Sequence, residues 1–228
     1  MKKVHIVFGL MVLIVLASLV FAISGATLSS LTQRGRWAGD SASSATTQGG
    51  NITGVNVTVS QLTTRWASFY GNLTGTIKLT DSVGTQNVYS WTWTNTNGGK
   101  VCASTNSAVT WASSNTTNGS DIDSAYAFGS ASDNATNTLT SLCNFTLNTP
   151  VVNLTNTSSV THQGLSGFKT CAMKQAASVP TKSQTTFCTV INTSGTNYNG
   201  ESAQYEIMVP TNATANSNET YYFYAEIQ

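Results

Sequence analysis

The sequence predicts an all-β protein, an antiparallel β-sandwich of about nine or ten strands with at most one or two short helices, preceded by an apolar N-terminal helix. Three observations predict this fold. Short apolar runs alternate with polar residues, clusters of Gly, Asn, Asp and Pro separate the runs, and aromatic and β-branched residues fill them. Charged residues make up only 8% of the 228 residues and apolar residues 40%, so the chain can bury a core although it contains 28 Ser, 37 Thr and 21 Asn.

Residues 1–26 are predicted to be an export segment. Lys2 and Lys3 precede an almost wholly apolar run from Val4 to Ile23. Positive charge before such a run places the remainder of the chain outside the cytoplasm. Val20-Phe21-Ala22 offers small residues at the positions of a signal-peptidase site, whereas the length of the run suits a membrane anchor. A cleaved signal peptide and a retained anchor both stay open.

Residues 27–50 are predicted to be a Ser/Thr-rich tail or linker, and residues 51–228 a single β-sandwich domain. A first strand is expected over Asn51–Ser60, because Val55, Val57 and Val59 fall on one face of an extended chain. Further strands are expected around residues 73–79, 89–93, 101–103, 109–111, 151–154, 168–173, 185–191, 204–209 and 220–228. The last of these carries large side chains on both faces, which predicts a strand covered on both sides.

One short helix is predicted in the middle of the chain. Ser120 has the character of an N-cap, acidic residues follow it in the first turn, and Gly129 follows Phe128 as a stop signal. The stretch from Asn134 to Cys143 is ambiguous between helix and strand.

The four cysteines all lie after the export segment, and an even number in an exported chain predicts two disulfides. Cys171 and Cys188 are equally distant in sequence from the Val179–Pro180 bond, so they would face each other in a simple hairpin. This places one bridge between Cys171 and Cys188 and, by elimination, the other between Cys102 and Cys143. A metal site is disfavoured, because the sequence has no C-x-x-C pair and no His-rich segment.

Acceptor patterns for N-glycosylation are frequent. Twelve of the 21 asparagines are followed by x-Ser/Thr, about twice the number that chance would give at this composition. Turn-rich β sequences also place Asn beside Thr for conformational reasons. We nevertheless expect many of these sites to carry glycans. They are Asn51, Asn56, Asn72, Asn115, Asn118, Asn134, Asn144, Asn153, Asn156, Asn192, Asn212 and Asn218.

No catalytic or cofactor-binding set is predicted. Outside the export segment His162 is the only histidine, which is too few for a blue-copper site, and no G-x-S-x-G elbow accompanies it, so we expect a surface residue. Asp121 and Asp123 lack the further oxygen ligands of a calcium loop and are better explained by helix capping. With a net charge of +1, the chain gives no indication of a nucleic-acid partner.

Two segments carry a family resemblance. Gly49 to Val59 and Thr64 to Gly75 resemble a stretch found in secreted archaeal β proteins. The whole plan of leader, Ser/Thr-rich tail and low-charge sandwich is similar to that of archaeal surface-filament, or pilus-like, subunits. The resemblance implies assembly by strand donation, in which the tail of one subunit fills a groove of its neighbour. Since the tail has few alternating apolar residues, the donor strand would begin near Asn51 or lie around Leu28 to Trp37.

We therefore expect a structural extracellular glycoprotein, not an enzyme, that associates with itself, carries N-linked glycans and stays on the membrane if its leader is uncleaved. One alternative is a membrane-tethered carbohydrate-binding module that uses exposed aromatic residues, although Trp91 and Trp93 at strand spacing are more typical of a core. Another is an acid-active hydrolase with a pair of carboxylates drawn from Glu201, Glu206 and Glu226.

Overall fold

The computed structural model describes residues 23–28, 35, 41–93, 98–148, 150–213 and 217–227, and the expected N-terminal helix lies outside these residues. Within them the protein is mostly β, with antiparallel pairing and two short α-helices, so the predicted fold class is confirmed. The elements are β1 (Ser24–Gly25), β2 (Trp66–Gly71), β3 (Gly75–Thr80), β4 (Asn87–Trp93), β5 (Lys100–Ser104), β6 (Asn115–Thr116), α1 (Gly119–Tyr126), α2 (Ala135–Thr138), β7 (Ser141–Asn148), β8 (Val151–Thr161), β9 (Lys169–Lys174), β10 (Thr185–Val190), β11 (Tyr205–Pro210) and β12 (Tyr222–Glu226).

Eight strands form a main sheet. Its order is β1-β12-β5-β10-β9-β8-β7, and β6 pairs with β9. β5 is buried along its whole length, and β10 is buried at all but its last residue. Because successive side chains of a strand point to opposite faces, such strands must be covered on both sides. The main sheet is therefore a middle layer.

One face of the main sheet packs against α1 and a two-stranded sheet made of β2 and β11. Val101 and Phe187 of the main sheet meet Ile207 and Val209 of β11 in this core, together with Ile122 of α1. All five side chains are buried. Burial of this kind stabilises a fold by about 1.5–3 kcal/mol for each large apolar side chain.

The opposite face is covered by the end of the β7–β8 hairpin. The register of this hairpin shifts between Cys143 and Phe145, and Asn156 adopts a left-handed φ of 57°. A bulge of this kind bends the strand that contains it. Buried residues from the hairpin and from the main sheet form the second core: Ile23, Cys102, Phe145, Leu147, Leu154, Cys171, Met173, Cys188 and Tyr224. A sheet covered on both faces is the sandwich-like arrangement that the sequence predicts.

The C-terminal strand is covered on both sides, as the sequence predicts. β12 is the neighbour of β5 in the main sheet. Phe223 belongs to the first core and Tyr224 to the second. The large side chains that the sequence places on both faces of this strand are thus covered on both faces.

The predicted helix forms as α1, with different ends. Asn118, not Ser120, is the N-cap, and its side chain accepts a hydrogen bond from the Asp121 N–H. The helix ends at Ala127, which adopts the left-handed conformation two residues before the expected glycine. Asp123 then caps α2, because its carboxylate accepts hydrogen bonds from the first backbone N–H groups of that helix. This contact explains why both helices sit together.

Two predicted strands are wrong. Asn51 to Ser60 adopts no regular structure, and its residues are exposed. Residues 109–111 also form no strand; Trp111 begins a 3₁₀ turn that packs on the second core. In both places the apolar alternation is real, but the structure gives it no neighbouring strand within the described residues.

The disulfide pairing differs from the predicted one. Cys102 bonds to Cys188, and Cys143 bonds to Cys171. Cys171 and Cys188 do face each other across β9 and β10, as the hairpin argument requires. β10, however, lies between β9 and β5, so Cys188 also faces Cys102 on its other side. The pairing prediction failed because it considered only the neighbour nearest in sequence.

Candidate functional site

The N-terminal arm, residues 23–28, lies along an edge of the main sheet. Ser24 and Gly25 pair with β12, and the Ala26 N–H donates to the Phe223 carbonyl at 2.8 Å. Ile23 is buried in the second core. An edge strand exposes unpaired N–H and C=O groups, and the arm supplies partners for those of β12. Residues 24–26, which belong to the predicted export segment and not to the tail, therefore add a strand to β12.

The valine segment, residues 51–60, is uncovered. Val55, Val57 and Val59 expose 60%, 84% and 71% of their surface, and Ile52 is fully exposed. No charged residue occurs between Ser41 and Leu62. Alternating apolar residues at strand spacing are typical of a strand with one buried face, yet here the described residues provide no strand partner.

A group of hydrogen bonds to Asp133, here called the anchor, joins the end of the valine segment to the rest of the domain. The carboxylate of Asp133 accepts hydrogen bonds from Thr63 at 2.8 Å and from Arg65 at 3.1 Å, and its backbone carbonyl accepts from the Trp66 indole at 2.7 Å. The Arg65 guanidinium also lies over the Phe128 ring. No local sequence pattern indicates this anchor, because its partners lie about 70 residues apart.

The aromatic hairpin, β3 with β4, stands apart from the other sheets and has an uncovered apolar face. Ile77 faces Trp91 and Leu79 faces Tyr89 across the pair. Trp91 is 48% exposed and Tyr89 57%, and their ring centroids lie 4.7 Å apart. The interpretation of Trp91 as a core residue is therefore wrong. Its ring is available at the surface.

The predicted glycosylation sites are nearly all accessible. Eleven of the twelve asparagines are exposed, and Asn134 is buried. Asn134 is the N-cap of α2, and its side-chain amide nitrogen, the atom that would carry a glycan, donates to the Gly129 carbonyl at 3.2 Å. Asn118 is likewise a helix N-cap, although it is exposed. Asn144, Asn153 and Asn156 all lie on the β7–β8 hairpin.

His162 is buried, which corrects the expectation of a surface residue. Its Nδ1 lies 2.7 Å from Glu206 Oε1, and its Nε2 lies 2.8 Å from the Thr170 hydroxyl. Glu206 also accepts from the Tyr198 N–H, and Thr170 accepts from the Met208 N–H. Carboxylate, imidazole and hydroxyl follow the order of a catalytic triad. Thr170 is fully buried, so its hydroxyl meets no substrate from solvent. The network instead links the residue after β8 to β9 and β11.

The other carboxylates proposed for hydrolysis have partners of their own. Glu226 Oε2 lies 2.9 Å from Lys100 Nζ in a buried ion pair, and Glu226 Oε1 accepts from the Asn148 N–H. The Glu201 carboxylate accepts from the Asn197 side chain. Each of these glutamates therefore has an ion-pair or hydrogen-bond partner close by, which is typical of structural carboxylates.

The helix-capping interpretation holds for Asp123, which caps α2. It is wrong for Asp121, whose carboxylate instead pairs with Lys174 at 2.7 Å and accepts from the Thr117 hydroxyl. Among the described residues, no group of three or more His, Cys, Asp or Glu side chains is arranged to hold a metal ion. Likewise, no helix in the described part of the chain is both long and apolar enough to cross a membrane.

The features that the structure brings together are thus a paired N-terminal arm, a valine segment with exposed side chains, an exposed aromatic hairpin and accessible acceptor asparagines. Comparison of the chain with protein-family models, with curated proteins and with solved structures finds no match in any of the three.

Proposed function

We propose that the chain is a structural glycoprotein of the cell exterior, a filament or cell-envelope subunit that assembles by strand addition through its N-terminal region. The observation that carries the proposal is the valine segment. Its three valines lie at strand spacing, are exposed, and are surrounded by neutral residues only.

The valine segment gains free energy when a sheet edge accepts it. Each valine that becomes buried contributes about 1.5–3 kcal/mol, and the backbone of the segment makes hydrogen bonds with the accepting strand. Because residues 41–62 carry no charge, no ion of the segment itself has to be desolvated when it docks. An added strand of this kind is a usual way to join protein chains.

The N-terminal arm supports the same mode of association. In this structure it pairs with β12 of its own chain. The 34 residues between Leu28 and Thr63 would span at most about 120 Å if extended. The arm can therefore exchange between subunits at low cost, as in domain swapping.

The covalent features fit the cell exterior. Two disulfides are typical of proteins that fold in an oxidising compartment. Eleven exposed acceptor asparagines would place glycans over much of the surface, and their hydration would keep an assembled subunit soluble.

The test replaces the three valines together. Val55→Thr, Val57→Thr and Val59→Thr keep the shape and strand propensity of the side chains and remove their apolar character. We expect purified wild-type protein to form assemblies, measured by light scattering and electron microscopy, and the triple variant to remain monomeric. The matched control is Val151→Thr, Val179→Thr and Val190→Thr, three valines that are also exposed but lie outside the segment. A monomeric wild-type protein, or equal assembly of both variants, would contradict the proposal.

The aromatic hairpin favours a second candidate function, carbohydrate binding. Tyr89 and Trp91 present adjacent exposed rings on a neutral face, a surface on which a sugar ring can stack. We expect Trp91→Ala to abolish binding on a glycan array, while Tyr198→Ala, which removes an exposed ring elsewhere, leaves binding unchanged. Absence of binding by the wild-type protein would exclude this candidate.

A further inference from the structure

Three side chains capable of a covalent reaction meet at one end of the main sheet. Lys182 lies in the 3₁₀ turn before β10, Asn212 follows β11, and Glu219 precedes β12. Lys182 Nζ lies 2.5 Å from Asn212 Oδ1 and 2.6 Å from Glu219 Oε1. The second oxygen of Glu219 accepts a hydrogen bond from the Asn212 backbone N–H at 3.3 Å. One carboxylate therefore contacts both the amine and the residue that carries the amide.

An aromatic pair closes one side of this site. Lys182 Nζ lies 5.2 Å from the centroid of the Tyr126 ring, and the Tyr126 hydroxyl lies 3.0 Å from that of Tyr221. Burial raises the pKa of Tyr126 to about 12, so the phenol beneath the amine is neutral at physiological pH. Glu219 is 12% exposed and Lys182 28%, whereas Asn212 is exposed. The reacting groups are thus shielded on one side and open on the side of the amide.

We propose that Lys182 and Asn212 form an intramolecular isopeptide bond, with Glu219 as the proton carrier. The ammonium of Lys182 first gives one proton to Glu219. The neutral Nζ then attacks Asn212 Cγ, which forms the new C–N bond. Glu219 transfers its proton to Nδ2 and removes a second proton from Nζ, and the bond between Cγ and Nδ2 breaks with its electron pair on nitrogen. The products are an amide and ammonia, which leaves as ammonium with the proton held by Glu219, so atoms and charge balance without an oxidant.

The geometry supplies what this step requires. The nucleophile and the amide are held in contact, which removes the entropic cost of bringing them together. The proton carrier is within hydrogen-bond distance of the attacking nitrogen. The leaving ammonia has an open path, because Asn212 is exposed. The bond would join the connection between β9 and β10 to the connection between β11 and β12.

The same asparagine is also a glycosylation acceptor, because Asn212-Ala213-Thr214 fits the pattern. Both modifications use Nδ2, since the isopeptide bond expels this nitrogen and a glycan would be attached to it. A single asparagine therefore carries one or the other. This exclusivity gives the proposal a direct test.

The experiment measures the intact mass of the full-length exported chain after denaturation and reduction. We expect a mass lower by one ammonia than the sequence and its other modifications require. Proteolysis should give a branched peptide that joins Lys182 to Asn212, without cleavage after Lys182. Glu219→Gln should lower the linked fraction at least about tenfold, as expected when a proton carrier is lost. Lys174→Arg is the matched control, because Lys174 forms a similar ion pair with Asp121 whose further partner is the Thr117 hydroxyl.

Two results would overturn the proposal. One is a wild-type chain of full mass with cleavage after Lys182 and a linear Asn212 peptide. The other is a glycan on Asn212 of a chain with a free Lys182 amine. Both are read from the wild-type protein, so the conclusion does not depend on whether the Glu219 variant folds, which circular dichroism reports separately. Neither result bears on assembly through the valine segment.

Discussion

β10 and β4 both carry aromatic residues, but β10 is buried whereas β4 is exposed. Both place aromatic side chains among small polar ones, Phe187 in β10 and Tyr89 and Trp91 in β4. Phe187 of β10 is fully buried, whereas Tyr89 and Trp91 of β4 are about half exposed. β10 lies between β5 and β9 and beneath two covering layers, while β4 pairs only with β3 within the described residues.

This difference separates the residues that hold the domain together from those that remain accessible to other molecules. The covered strands carry both disulfides and the two cores. The aromatic hairpin and the valine segment carry apolar residues that lie outside both cores. A two-stranded sheet without cover is marginally stable in water, so a partner would strengthen the hairpin as well.

The largest expected effect comes from matched ring deletions in the two regions. Phe187→Ala should lower the free energy of unfolding by about 3–5 kcal/mol, because it leaves a cavity in the first core. Trp91→Ala should change it by less than about 0.5 kcal/mol, because the indole contributes little to the core. Urea denaturation measures both. Equal losses would show that the hairpin belongs to the cooperative fold.

A smaller effect distinguishes two buried hydroxyls of the main sheet. Thr170→Val removes the partner of His162 Nε2 and of the Met208 N–H, and leaving such groups buried and unpaired should cost about 2–3 kcal/mol. Thr189 is the control, because its buried hydroxyl has no hydrogen-bond partner among the described groups. Thr189→Val should be neutral or stabilising in the same denaturation experiment. If both variants lose the same stability, the His162 network contributes no more than packing.

The folded domain should also lose stability at high pH. Burial raises the pKa of Tyr126 from 10.0 to about 12, so the folded state favours the protonated phenol. This contribution is complete below pH 10 and is lost as the pH rises through 12. It amounts to on the order of 3 kcal/mol. Urea midpoints measured across this range should fall for the wild-type protein and fall less for Tyr126→Phe. A parallel decline of the two would assign the alkaline loss to other groups.

Local sequence patterns predict those helices and strands that depend on residues close together in the sequence. The apolar and β-branched runs of β5, β10 and β12 and the helix signals around α1 correspond to real elements, because strand and capping preferences act within a few residues. Such patterns do not say whether a strand has a neighbour. For this reason Val55 to Val59 reads like a strand and forms none, and Trp91 reads like a core residue and lies at the surface.

Contacts between distant segments could not be predicted. Cys188 has a cysteine on each side only because β5 and β9 both pair with β10. His162 is buried because β11 brings Glu206 to it from 44 residues away. The anchor at Asp133 and the Lys182–Asn212–Glu219 site have the same origin, since the sheet order sets the partner of each side chain.

The smallest expected effect concerns two predicted glycosylation sites, one buried and one exposed. Asn134→Ala removes the cap of α2 and should cost about 1 kcal/mol, with no change in attached glycan, because the buried side chain is not accessible for modification. Asn72→Ala should do the reverse, since this residue is exposed: the mass should fall by one glycan while stability stays within about 0.5 kcal/mol. Intact mass and urea denaturation of the two variants measure both quantities. A glycan on Asn134 would mean that the chain is modified before α2 folds, so that burial in the finished structure does not protect an acceptor site.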